Sequence, residues 1–198
     1  MKPLNMAIIT ILILFCAALS SLADEVTAER DVRGISFTPM VPQIVQGTVK
    51  LDIPFSCQRL NSMHQKEKYP ITFFQAHCPG KNPCLSINIM VMLIADSIRP
   101  YDEIKKKSEK EDFGAEGGKV FPEFLIESKE SGADKTAMLV GSSFAMGTHI
   151  IGYYYSNEKK ITSKVIVGLI YGEKMSDDEW QYVLAKSIQI LRSVKLIK

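Results

Sequence analysis

Net charge is nearly absent from this chain. Its 198 residues carry 24 basic and 22 acidic side chains, a formal net charge of +2. So even a balance offers no electrostatic attraction to nucleic acid or to an acidic membrane surface. Histidine is scarce too, with only His64, His77 and His149 available for acid–base work or metal binding. The four cysteines contain no C-x2-C pair, which removes both the tight zinc-ligand spacing and a thioredoxin-like redox motif. There is no G-x-S-x-G nucleophile elbow. The glycines at 114, 117 and 118 lead into Lys119-Val120, without the Ser or Thr that a phosphate-cradling loop places after its lysine.

What the chain does have begins at its first residue. Met1-Lys2 is a short positive start, Met6 to Leu19 is apolar, and Ser21-Leu22-Ala23 is a small-x-small cleavage site ahead of Asp24-Glu25. This is the pattern of a secretory signal peptide, and the apolar run is short for a membrane span. Cys16 lies behind bulky Phe15 inside the apolar run, which argues against a lipid-attachment cysteine. The expectation is an exported protein, periplasmic or secreted, with no stable membrane insertion after cleavage near Ala23. Removing residues 1–23 from the 198 leaves 175, enough for one domain with a full core. Residues 24–34 are polar and read as an exposed lead-in, and 35–198 as a single domain.

Export bears on the cysteines. Cys57, Cys78 and Cys84 would remain in an oxidising compartment, where one bridge and one free thiol is the simplest arithmetic. Cys78 and Cys84 flank the turn-forming stretch Pro79-Gly80-Lys81-Asn82-Pro83 and are the favoured pair, leaving Cys57 as the free thiol; Cys57 paired with either remains the alternative. A metal site recruiting His64 and His77 to these thiols is the rival chemistry, and its spacings fit no standard ligand set. No cofactor or metal is expected.

Alternation and punctuation set the remaining elements. Short strands are expected at Ile35–Phe37, Thr48–Ile53 and Ile71–Gln75, and a long central strand at Leu85–Ala95. Pro100 and Tyr101-Asp102-Glu103-Ile104 open a middle helix that ends in the glycine loop, and the charges of KKKSEKEDF read as its solvated face. Further strands are expected at Phe124–Lys129, Ala137–Phe144, Thr148–Tyr155 and Ile161–Tyr171, with a hairpin turn at residues 156–160. Residues 132–147 suit either strand or helical turn, and Gly141, Gly147, Gly152 and Gly168 read as bulges or bends. Ser176-Asp177-Asp178-Glu179 is a capping box opening a last helix. Its apolar face is expected to hold Trp180, Leu184, Ser187, Ile188 and Leu191, with Val183 beside them.

No catalytic constellation assembles from these residues. Ser143 and His149 fall on neighbouring strands and make a hydrolase the minority alternative, while Asp112, Glu116 and Glu123 are acids in and around a glycine loop, where solvation is the usual fate. A thiol-dependent enzyme would rest on Cys57.

The order of elements, with an entry strand pair, a long apolar strand, a helix at Tyr101-Asp102-Glu103-Ile104, an antiparallel run and a closing helix ending Ile190-Leu191-Arg192-Ser193, resembles the PsbP-like fold family. That family includes DcrB-like bacterial envelope proteins and a Ran-binding nuclear import factor. Phe37-Thr38-Pro39 stands where the family has an aromatic P-x-x-W entry. The resemblance implies a binding or accessory role and carries over no site residues. The fold class expected is therefore α+β, a curved antiparallel sheet packed by the C-terminal helix and one middle helix. The function expected is a non-catalytic protein-binding or accessory domain of the bacterial cell envelope, with another envelope protein as partner. An immunity protein against a delivered toxin is the related alternative. The 113–123 and 78–84 loops are candidate docking points only because binding residues concentrate in loops.

Overall fold

A computed structural model describes residues 31–60, 70–77, 85–95, 119–120, 131–143 and 147–197. The leader, the Phe124–Lys129 strand, the middle helix expected from Pro100, and both Cys78 and Cys84 lie outside these residues. The chain opens with a small hairpin, β1 (Asp31–Val32) and β2 (Ile35–Ser36). Arg33 and Gly34 take positive φ of 51° and 85° between them, the two-residue hairpin geometry that matches strand twist. A second hairpin joins β3 (Met40–Val45) to β4 (Val49–Pro54), turned by Gln46 and Gly47 at φ 52° and 67°. The chain then supplies β5 (Gln58–Leu60), β6 (Ile71–His77), β7 (Leu85–Ala95), β8 (Lys119–Val120), β9 (Lys135–Ser143), β10 (Gly147–Ser156) and β11 (Ile161–Tyr171). It closes with helix α1 (Asp177–Arg192) and β12 (Lys195–Leu196).

These strands make three sheets. Seven of them form one antiparallel sheet in the order β5-β6-β7-β11-β10-β9-β8. A smaller sheet, β12-β4-β3, is separate from it, and β1-β2 stands alone. The expected α+β class with one curved sheet and two helices is corrected by this arrangement: the described residues are mostly β, in three sheets, with α1 as their one helix. The β3–β4 hairpin does not extend the large sheet because its odd-numbered side chains, Val45, Val49, Leu51 and Ile53, turn inward and join the core cluster with that sheet's inner face. Burying an apolar face against another sheet stabilises by area, at about 25 cal/mol per Å², and favours a layered over an edge-to-edge arrangement. The Gln46 amide, which donates to Thr72 Oγ1 at 3.3 Å, ties the hairpin tip to β6.

Period-2 alternation places the core. Leu85, Ile87, Ile89, Val91 and Leu93 of β7 and Val165, Val167 and Leu169 of β11 point to the inner face, with Phe74, Ile150 and Tyr154 beside them. The segment 132–147, ambiguous in sequence, holds strand β9. The pairing of β10 with β11 runs unbroken from Thr148↔Leu169 to Ser156↔Ile161, so Gly152 and Gly168 are not bulges. They make room for rings: a Cβ on Gly152 would lie 2.7 Å from the Tyr154 hydroxyl. That hydroxyl donates to the Leu191 carbonyl and joins sheet to helix.

The capping box forms as the sequence implies, with Glu179 N–H donating to Ser176 Oγ at 3.2 Å and Ser176 N–H donating to the Glu179 carboxylate at 2.9 Å. The buried stripe is rotated from the expected one. Tyr182, Val183, Lys186, Ser187, Ile190 and Leu191 are buried, while Trp180, Leu184 and Ile188 are half-buried along its flank. Ser187 is admitted because its hydroxyl donates to the Val183 carbonyl at 2.8 Å. Lys186 is 2% exposed, with its ammonium 5.5 Å from the Tyr182 ring centroid, and desolvation pushes its pKa down.

The expected lead-in also ends early. Residues 31–34 are part of the folded body: Val32 is buried in the core, and the Arg33 guanidinium reaches the helix start. It donates to the Glu173 and Lys174 carbonyls at 2.8 and 2.9 Å and to both oxygens of the Glu179 carboxylate at 3.3 and 3.2 Å. No helix among the described residues is long and apolar enough to cross a membrane.

Candidate functional site

The outer face of the seven-stranded sheet divides in two. Ala137, Ile151, Tyr153 and Ile166 form a second buried cluster on it, flanked by Met90 and Tyr155. Next to this apolar half runs a polar row at one register level: Gln58 on β5, Gln75 on β6, Asn88 on β7, Gly168 on β11, His149 on β10 and Gly141 on β9. Directly opposed residues in an antiparallel pair share a face, so these positions line up across six strands. His149, Gln75 and Asn88 are half-buried and Gln58 is exposed.

Both members of the expected Ser–His pair belong to this region. Ser143 pairs in register with Gly147, two residues before His149, which puts the two at diagonal positions on adjacent strands. The His149 ring leans the other way, over β11: its Cδ2 and Nε2 lie 3.4 and 3.6 Å from where a Cβ on Gly168 would stand. Strand order therefore places Ser143 and His149 at diagonal register positions, with the imidazole beside Gly168 of β11.

Cys57 is half-buried against the core and forms no disulfide. Burial pushes its thiol up to about 12, so at neutral pH it is protonated and a poor nucleophile. That is the opposite of what a thiol-dependent enzyme requires. His64, Cys78 and Cys84, the remaining members of the metal alternative, lie outside the described residues. Among the described residues no group of three His, Cys, Asp or Glu side chains stands together in a way that would hold a metal ion.

Exposed apolar side chains stand towards the two ends of the β3–β4 hairpin. Ile44 on β3 is 58% exposed and Phe55, in the turn after β4, is 72% exposed. β3 is the outer strand of the small sheet, and its residues Pro42 and Ile44 are exposed, whereas Met40 packs against the core. Pro42 carries no N–H and so blunts that edge against strand addition. The solvent-facing strip of β3 and the Phe55 ring remain open to contact. Leu60, 44% exposed on β5, lies at the edge of the large sheet.

No protein-family model, no curated protein and no solved structure matches the chain. The site therefore rests on its own geometry.

Sequence reasoning found His149 and Ser143 but not the polar row around them. The row combines residues from strands up to 110 positions apart, Gln58 and Gly168, and no local motif announces it. Ile44 and Phe55 were also missed. The signal for them was a strand interrupted by Pro42 and a large aromatic placed directly after Pro54, where a turn exposes it.

Proposed function

We propose that this chain is a non-catalytic, exported accessory domain that binds another protein of the cell envelope. The observation that carries the reading is the exposure of Ile44 and Phe55 on and beside an outer strand. Isolated exposed aliphatics are ordinary, but a phenylalanine 72% exposed is the type of anchor that protein interfaces enrich. The raised Cys57 pKa favours binding over nucleophilic catalysis through that thiol. The leader supports export, and the element order from β7 to α1 is the part of the PsbP-like resemblance that supports an accessory role.

The test is affinity capture of the purified protein from an envelope extract, run beside the Ile44→Asp/Phe55→Asp variant. The expected result is one stoichiometric partner, lost with the double variant and kept with Glu173→Ala. Recovery of no such partner, or a partner indifferent to positions 44 and 55, overturns the reading.

A further inference from the structure

We propose that strands β5, β6 and β7 carry a second site, for an extended neutral glycan. Two lanes run side by side across these strands on the outer face. One is polar, Gln58↔Gln75↔Asn88; the other is apolar, Leu60↔Phe73↔Met90, one same-face step along each strand. None of the three polar side chains hydrogen-bonds another described residue, and all three are exposed or half-buried on the outer face. Neither lane contains a carboxylate, an ammonium or a guanidinium.

This chemistry selects its ligand. A charged ligand is held by side chains of opposite charge, and this patch has none. A pyranose ring has two kinds of surface, hydroxyls at its edge and C–H groups on its faces. Planar amides offer a donor and an acceptor to adjacent hydroxyls, and Leu60, Phe73 and Met90 offer apolar area to the C–H faces. Spacing argues the same way. Neighbouring strands lie about 4.8 Å apart, close to the advance of one ring along an extended β-1,4-linked chain. Three successive amides therefore meet three successive sugars, whereas a peptide lying across the strands advances less per residue. Beyond Asn88 the row reaches Gly168, where the His149 ring stands and bounds the polar lane.

The test is calorimetric titration of the purified protein with two probes, cellohexaose and the hexamer of N-acetylglucosamine, and with a neutral glycine–serine peptide. Binding of at least one hexamer is expected, weakened about tenfold in Gln75→Ala/Asn88→Ala, with the melting temperature unchanged. Gln58→Ala, at an exposed position, is the second variant should the double one unfold, and a several-fold loss is expected. No binding of either hexamer at millimolar concentration overturns the proposal. So does binding that ignores these substitutions, or binding of the peptide in place of the glycan. Ile44 and Phe55 lie outside both lanes, so the Ile44→Asp/Phe55→Asp variant retains glycan binding, and failure of either proposal leaves the other standing.

Discussion

Replacing Arg33 with alanine should destabilise the protein by about 2.5 kcal/mol. The guanidinium makes four hydrogen bonds that fasten the β1–β2 hairpin to the start of α1. The Glu173 and Lys174 carbonyls are on exposed residues and regain water when the arginine is lost, so each bond contributes about 0.5 kcal/mol, the low end of the range. The ion pair with Glu179 is partly solvated and contributes roughly 0.5 kcal/mol. The arginine stem is buried, and removing its methylenes adds about 1 kcal/mol after relaxation. A pH dependence follows from the same contacts. Hydrogen bonding from Arg33, then from the Ser176 backbone, holds the Glu179 carboxyl below the ordinary carboxylate range. A carboxyl lowered in the native state stabilises fully above its unfolded pKa of about 4.3 and loses that contribution as pH falls through the native value. The assay is urea unfolding of wild type, Arg33→Ala, Glu179→Gln and the double variant at pH 7 and pH 3. A coupling energy of roughly 0.5–1 kcal/mol is expected at pH 7, and a smaller one at pH 3 as the carboxylate begins to protonate. A total loss under about 0.5 kcal/mol for Arg33→Ala, or coupling equal at both pH values, would refute the reasoning.

Three further outcomes follow from the described contacts. Tyr154→Phe removes the hydroxyl that bonds the Leu191 carbonyl and should cost about 1–2 kcal/mol, because that buried carbonyl loses a partner; an unchanged melting temperature would contradict it. Gly147→Ala places a Cβ 2.0 Å from the Leu169 carbonyl at a φ of +79°, so strand β10 must shift at its start and more than about 2 kcal/mol should be lost in denaturant unfolding. With its thiol pushed up to about 12, Cys57 should react with iodoacetamide at pH 8 far more slowly in the native protein than in urea, and equal rates would show that the side chain is not desolvated.

Legibility in the sequence tracked the length and regularity of each element. β7 and β11 occupy the spans that their eleven-residue apolar runs imply, and the capping box located α1. Of the strands of two or three residues, β1, β5, β8 and β12 are too short to show any period, and Pro42 hid β3. The partition into three sheets was invisible because alternation says that one face is buried without saying which sheet buries it. The helix face was rotated because it buries Tyr182, Lys186 and Ile190, and a purely apolar stripe leaves the lysine out. The glycines misled for a similar reason: Gly152 and Gly168 serve the rings of Tyr154 and His149, contacts made along and across strands that composition does not reveal. His149 was visible as a rare residue, while the amides aligned with it became a site only once the register was known.

The central claim is that the Ile44 and Phe55 surface docks a protein partner. It is tested most directly by placing a photo-crosslinking phenylalanine analogue at position 55 in intact cells, with the same analogue at exposed position 173 as control. The account predicts one discrete crosslinked species from position 55 that disappears in the Ile44→Asp background and is absent from position 173. A position 55 that yields no crosslink, or the same diffuse products as position 173, would contradict it.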